Sequence, residues 1–474
     1  MPELPYLQAR ELIGLFRSRQ LSPVEHLGSL IEQIDKHDPA INAVVDHRYD
    51  EALQEARLAE RSYLGNGDEP RPLEGICVAV KEEQPIRGRS WRQGSLPLVD
   101  EVADHDHPII ERIQQAGGII HIRTATPEFS CAGFTHSRLW GVTRNPWNEE
   151  FSPGGSSGGS AAALAAGYAP LATGSDIGGS IRIPASFCGV VGFKPPFGRV
   201  PALGPYNLDQ YCHDGPLART VDDCALIENV IAGHHWRDVV SLRNPPQIPT
   251  DPGDIAGMRI GVSMNLGDWP VDSEVVTNTR AVADSLSAVG AHVDDVDLPW
   301  QLERFWQAGR AHFAAIFGPG IAEIEAAHGE LLNDYTRAFV ETMQPESTFY
   351  DGLVEEAALW EPLGSLFEDV DVLLCPTIAT TGLVAGNSYI DEKVVVDGRA
   401  VPHHIMAMMT VPFNVFSRCP VLSVPSGLAR NGVPTGAQIV GRTYEDESVF
   451  RVGAAVERAG FGFGSDDWRP PLTQ

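Results

Sequence analysis

The segment from Ser152 to Lys194, SPGGSSGGSAAALAAGYAPLATGSDIGGSIRIPASFCGVVGFK, holds the residues best placed to do chemistry. It carries two glycine-rich turns built around serine. The first is Gly154-Gly155-Ser156-Ser157-Gly158-Gly159-Ser160, and the second is Asp176-Ile177-Gly178-Gly179-Ser180. Glycines this dense let a backbone bend sharply and aim its N–H groups at a bound oxyanion. A serine closing such a turn is placed as a nucleophile beside an oxyanion hole. Upstream, Lys81 closes the apolar run Gly75-Ile76-Cys77-Val78-Ala79-Val80. A lysine and two serines make a Ser–Ser–Lys triad, which needs no histidine. Lysine takes a proton only when neutral, so such a base wants desolvation, and the apolar run offers it. Only four of the 35 Lys and Arg residues are lysine. Arginine could not serve, because it stays protonated. Lys36 reads as a helix end, Lys393 as a charged loop and Lys194 as structural.

These residues resemble the amidase signature family. The family's lysine segment appears as Pro72-Leu73-Glu74-Gly75 to Lys81. Its downstream segments appear as Asp214-Gly215-Pro216 to Arg219-Thr220-Val221, Pro420 to Gly427 and Gly436 to Arg442. The similarity thus runs from about Leu7 to Gly460. The resemblance implies that Ser180 is the nucleophile, that Lys81 is the base, and that Ser156 is a bridging serine held on a cis peptide. Ile177, Gly178, Gly179 and Ser180 would supply oxyanion-hole N–H groups. Ser156 would pass the proton between Ser180 and Lys81 and then protonate the leaving amine. Ser157 would hold Ser156 or Lys81 by a hydrogen bond, while Asp176 and Arg182 support the turn. Two departures stand out. Glu82-Glu83 occupy positions where the family often has aspartate, and Cys77 stands where proline is common. Neither is expected to touch the triad.

Other readings of the same residues fare worse. A glycine–serine linker would not run straight into Ala161-Ala162-Ala163-Leu164-Ala165-Ala166, a strong helix former. Gly154-x-Ser156-x-Gly158 matches a nucleophile elbow, but an elbow follows a strand, and Asn145-Pro146-Trp147-Asn148 and Pro153 read as loop. No phosphate-binding G-x-x-x-x-G-K-[ST] is present.

The net charge of −28 argues against nucleic acid or an anionic membrane as partner. Cys77, Cys131, Cys188, Cys212, Cys224, Cys375 and Cys419 form no C-x-x-C pair, which fits reduced thiols in the cytoplasm. His105-His107, His234-His235 and His403-His404 lack acidic or cysteine partners at ligand spacing, so no metal is expected. His213 falls near the expected site. Met1 to Gln20 reads as an amphipathic helix rather than a signal peptide, and no apolar run is long enough to span a membrane.

The positioning elements follow from periodicity. Leu12, Ile13, Leu15 and Phe16 form one helical stripe, Ser22-Pro23 starts a second helix, and Ala52 to Arg61 makes a third. From Gly75 onward apolar runs alternate with helices. The runs are Ile76–Val80, Ile119–Ile122, Met258–Val262, His292–Val296, Val370–Cys375, Val421–Val424 and Ala437–Val440. Pro108 to Ala116, Val221 to Ile231 and Glu274 to Val289 read as helices. The pattern predicts an α/β fold: a single α/β/α domain, 1–474, around a long mixed, largely buried sheet. Within it, 1–70 reads as a helical cover, 72–240 as the catalytic core and 300–370 as a variable helical region near the pocket. Asn244 to Gly257 reads as a loop crossing between the halves of the sheet. Aromatics in the variable region, among them Trp306, Phe313, Phe317, Tyr335, Phe339, Tyr350 and Trp360, pack helices or line the pocket. Cys131, Ala132, Gly133 and Phe134 are a further candidate wall.

The resemblance implies amide hydrolysis without metal or organic cofactor, on a small-molecule substrate. The aromatics point to an apolar or aryl amide, anilide or carbamate. A homodimer would be ordinary for the family. Two alternatives remain: the glutaminase (A) subunit of a tRNA-dependent amidotransferase, and a catalytically silent binding protein of the same fold.

Overall fold

Ser22 and Glu25 show how local sequence sets the element ends. In the computed structural model, which describes residues 3–344, 347–465 and 468–472, Ser22 Oγ accepts from Val24 N at 3.0 Å and Glu25 N at 3.4 Å. Glu25 Oε2 accepts in return from Ser22 N at 2.9 Å. This reciprocal cap, with Pro23 in the first turn, starts the helix Pro23–Ile41. Ahead of it stand a short turn, Leu4–Tyr6, and the helix Ala9–Arg17, in place of one continuous helix. Met1 and Pro2 of that expectation lie outside the described residues.

Eleven strands form one sheet. In chain order they are β1 (Val44–His47), β2 (Cys77–Lys81), β3 (Ile119–Thr124), β4 (Leu171–Asp176), β5 (Val191–Lys194) and β6 (His213–Ala218). The rest are β7 (Arg259–Val262), β8 (His292–Asp295), β9 (Val372–Pro376), β10 (Val421–Leu428) and β11 (Pro434–Gly441). Their spatial order is β1-β3-β2-β4-β6-β5-β10-β11-β9-β7-β8. Strands β3, β2 and β4 run parallel, as do β9, β7 and β8, and the remaining pairs are antiparallel. Residues 244–257 lie between the helix Val221–Ile231 and β7, and so cross from one half of the sheet to the other.

Successive side chains on a strand point to opposite faces, and here both faces are covered. Val372, Leu374, Leu422, Val424 and Ile439 join a core with the helices Pro108–Gln115, Val221–Ile231, Ser273–Ala288 and Asp446–Arg458. Their neighbours Leu373, Cys375, Val421 and Val440 join an aromatic-rich core on the other face. That second core is drawn mainly from the helices Leu302–Ile316, Gly318–His328, Asp334–Thr342 and Phe349–Asp369, with residues 406–419.

Two sequence expectations change. The sheet does not begin at Gly75: β1 pairs with β3 and makes an edge inside the helical N-terminal segment. Strands β4, β5 and β6, in the middle of the sheet, fall outside the expected apolar runs. Gly174, Gly192, Gly215 and Pro216 interrupt them, and at each of these glycines an added Cβ would press on a neighbouring side chain or backbone.

Candidate active site

Lys81 is the last residue of β2, and Asp176 the last of β4. Both therefore sit at the carboxyl ends of neighbouring parallel strands, where open α/β sheets place their ligands. The turn 154–157 enters the helix Gly158–Ala165, every residue of which is buried. Gly155 must be glycine, since a Cβ there would collide with the Phe134 backbone. The peptide bond between Gly155 and Ser156 is cis.

Lys81 Nζ, fully buried, donates to Ser156 Oγ at 2.7 Å and to Ser175 Oγ at 2.8 Å. It also lies 2.6 Å from Glu83 Oε2. Glu83 Oε2 accepts from Ser175 Oγ at 2.8 Å and Ser130 Oγ at 2.9 Å. Burial pushes the Glu83 carboxyl up, but the Lys81 charge and the hydrogen bonds from Lys81, Ser175 and Ser130 outweigh it and hold it below the usual range.

Ser180 closes the second turn. Asp176 shapes it by accepting from Gly179 N at 2.8 Å and Ile181 N at 3.2 Å. Arg182 grips both Asp176 oxygens at 3.0 Å, and Asn414 Nδ2 adds a bond of 2.8 Å. Burial alone would raise the Asp176 carboxyl, yet Arg182 and Asn414 hold it well below the carboxylate range. Thr410 Oγ1 donates to Gly178 O at 2.7 Å, and Gly179 sits at φ 124°, open to glycine alone. Among the described residues, the N–H groups of Ile177, Gly178 and Ser180 have no backbone or side-chain acceptor, and Ser180 Oγ has no hydrogen-bond partner. The turn thus presents a serine hydroxyl together with open donors.

Ser180 faces a small hollow of about 30 Å³ walled by Cys131, Ala132, Gly133, Phe313 and Phe339. Ser130, Ile177 and Phe317 are shared between this hollow and a cleft of about 390 Å³. The larger cleft is lined by Glu83, Ser175, Trp91, Tyr206, Asp214 and Ile321, among others, and, among the described residues, by no arginine or lysine. Among the described residues, no group of three His, Cys, Asp or Glu is placed to hold a metal ion. No helix among them is long and apolar enough to cross a membrane.

A family profile described as amidase matches residues 25–450. The chain belongs to the amidase signature family. It is 30% identical over 468 residues to an acylamidase of Rhodococcus erythropolis, across 96% of this chain and 95% of that one. It is 32% identical over 481 residues to the glutamyl-tRNA(Gln) amidotransferase (A) subunit of a Cyanothece species, across 95% and 97% of the two chains. The crystal structure of a bacterial aryl acylamidase, 30% identical, matches with a TM-score of 0.88 over 96% of each chain.

The structure brings Lys81 to Ser156 and Arg182 to Asp176, and it revises four expectations. Glu83 does touch one of the three expected residues, Lys81. The lysine's surroundings are therefore not only apolar. Ser157 reaches neither Ser156 nor Lys81: its Oγ donates to Ser175 O and accepts from Ser175 N, both at 3.3 Å. Gly179 N–H is committed to Asp176, which leaves three of the four expected donors open. Phe134 lines neither hollow and stacks on His136 at 4.7 Å between ring centroids.

Glu83, Ser175 and Ser130 are the contacts sequence reasoning missed. The acidic departure at Glu82-Glu83 was the available signal. Of the aromatics, Phe313, Phe317 and Phe339 reach the hollow beside Ser180, Tyr350 is exposed, and Trp360 packs on Phe416. His213 lines the cleft but contacts backbone carbonyls of Tyr211 at 2.8 Å and Ser417 at 3.1 Å rather than Lys81, Ser156 or Ser180. Burial, then the nearby Lys194 charge, lowers its pKa to about 3. Lys194 itself is buried against Pro195 O and Ser417 O, and burial lowers its pKa to about 7.

Proposed function

We propose that this chain hydrolyses an apolar or aryl amide, anilide or carbamate through an acyl-enzyme on Ser180. Ser180 Oγ attacks the carbonyl carbon, and its proton passes through Ser156 to Lys81. The open N–H groups of the 176–180 turn receive the developing oxyanion. The C–N bond then breaks as the amine leaves with a proton returned by Ser156. Water, activated through the same relay, releases the acid and restores Ser180. No metal or organic cofactor is required.

The observation that carries this reading is the 2.7 Å bond from Lys81 Nζ to Ser156 Oγ beside a serine turn with unspent donors. The likeness to an acylamidase and to an aryl acylamidase supports the substrate class. A second reading, a glutaminase that works in complex with partners, is favoured by the 32% identity to an amidotransferase (A) subunit.

Turnover of an aliphatic amide, an anilide, an aryl carbamate, an aryl ester and glutamine by the isolated chain, beside Ser180→Ala, separates the two. Anilide or carbamate turnover lost in the variant supports the independent hydrolase. Activity on glutamine alone supports the glutaminase.

A further inference from the structure

The cleft beside Ser180 carries three carboxylates, and their partners differ. Glu83 is matched by Lys81 at 2.6 Å, and Asp176 by Arg182. Asp214 has no such match. Its Oδ1 accepts from Gln84 Nε2 at 2.7 Å, and its Oδ2 lies 3.4 Å from His107 Nε2. His107 Nδ1 accepts from Ile109 N at 3.3 Å, which turns Nε2 toward Asp214. Neither contact is an arginine or a lysine. Among the described residues, Asp214 pairs with no arginine or lysine, and none lines the cleft. Asp214 is 8% exposed and lines the cleft, as well as a smaller hollow beside Phe197 and Asp238.

A buried, uncompensated carboxylate is costly unless something cationic meets it. The facing walls suit an apolar body with a charged end: Trp91, Tyr206, Phe317 and Ile321 supply rings and an alkyl side chain. The net charge of −28 draws cations toward the protein as a whole. Resting on the amidase reading, we propose that the substrate carries a cationic amine, distinct from the scissile nitrogen, which Asp214 receives on the cleft side of the reacting bond. The same arrangement disfavours substrates that bring only a carboxylate there.

Two measurements test this. In the first, matched acetanilides and benzanilides carry a para aminomethyl, ethyl or carboxymethyl group. The aminomethyl member should show kcat/KM about tenfold or more above its ethyl counterpart in at least one series, the worth of one charge-assisted hydrogen bond. The carboxymethyl member should be the poorest. Asp214→Asn should cut the aminomethyl-to-ethyl ratio about tenfold. Turnover without cationic preference, or preference for the carboxymethyl member, overturns the inference and leaves the amidase reading standing.

The second measurement needs neither turnover nor a substitution at Asp214. Calorimetric binding of 4-phenylbutylamine and 4-phenylbutyrate to Ser180→Ala should favour the amine about tenfold or more. Equal binding or a preference for the acid overturns the inference. Absence of turnover across all anilides, with the amine still preferred, overturns the amidase reading instead.

Discussion

Glu83 Oε2 lies 2.6 Å from Lys81 Nζ, and Ser175 Oγ bonds to both groups at 2.8 Å. The proposed base is therefore held in a closed triangle of charge and hydroxyl. One edge of that triangle, Glu83, lines the cleft.

Glu83→Gln keeps acceptor and size but removes the charge. Lys81 then keeps its hydrogen-bond partners but loses the carboxylate charge beside it, so the shape of the kcat/KM profile against pH should change. A pH–rate profile on an uncharged anilide reads this directly. An unchanged profile would mean that Glu83 is a structural anchor only.

Ser156 and Ser180 should behave as one unit. Alanine at either position should lower kcat by about 10⁴ or more, and the double variant should be no worse than the poorer single one. Ser180→Ala removes a hydroxyl without a partner and should shift stability in thermal melting by only about 0.5 kcal/mol, whereas Ser156→Ala also takes an acceptor from the buried Lys81 and should cost about 1–3 kcal/mol. Additive losses in single-turnover kinetics would contradict a shared relay.

Much of this was legible in the chain. Lys81, Ser156 and Ser180 stand out because their chemistry depends on residue type and on glycine spacing, both written in the sequence. The helix Val221–Ile231 was equally plain and is found at those bounds, with Thr220 as its cap in the structure. Glu83 and Ser175 were not, because their roles come from pairing between distant strands. β2 beside β4 aligns Ala79 with Ala172, which carries Lys81 toward Ser175, 94 positions away in sequence. Nothing in the local pattern of either strand announces that register. The free N–H of Gly178 and the committed one of Gly179 read identically as letters, and only the position of Asp176 tells them apart.

Asp176→Asn should unfold at distinctly lower urea. It leaves Arg182, fully buried, facing a neutral amide, and breaking a buried pair from one side costs about 3–5 kcal/mol. Activity should fall with it, since the same carboxylate fixes Gly179 and Ile181. An unchanged urea midpoint would show that Asn414 and Thr410 alone hold the turn.

Glu228 gives the stability curve a definite slope. It is buried, both carboxyl oxygens lack hydrogen-bond partners among the described residues, and burial, then Asp446, pushes its pKa well above 4.5. A carboxyl raised in the folded state contributes stability that is full below its unfolded value and is lost as pH rises through the folded one. Glu228→Gln should therefore match the parent near pH 4 and exceed it by about 1–3 kcal/mol near pH 8. Melting curves at the two pH values decide it; a gap that narrows toward pH 8 reverses the sign and refutes the assignment.

The aromatic layer on one face of the sheet packs largely on itself, and few strand residues enter it. Phe313, Phe317 and Phe339 belong to that layer and also face the room beside Ser180. Lys81, Ser156 and Asp176 are anchored in the sheet and in the all-buried helix Gly158–Ala165. A change of ring in that layer would therefore reshape the room beside Ser180 and leave the contacts that hold Lys81, Ser156 and Asp176 in place.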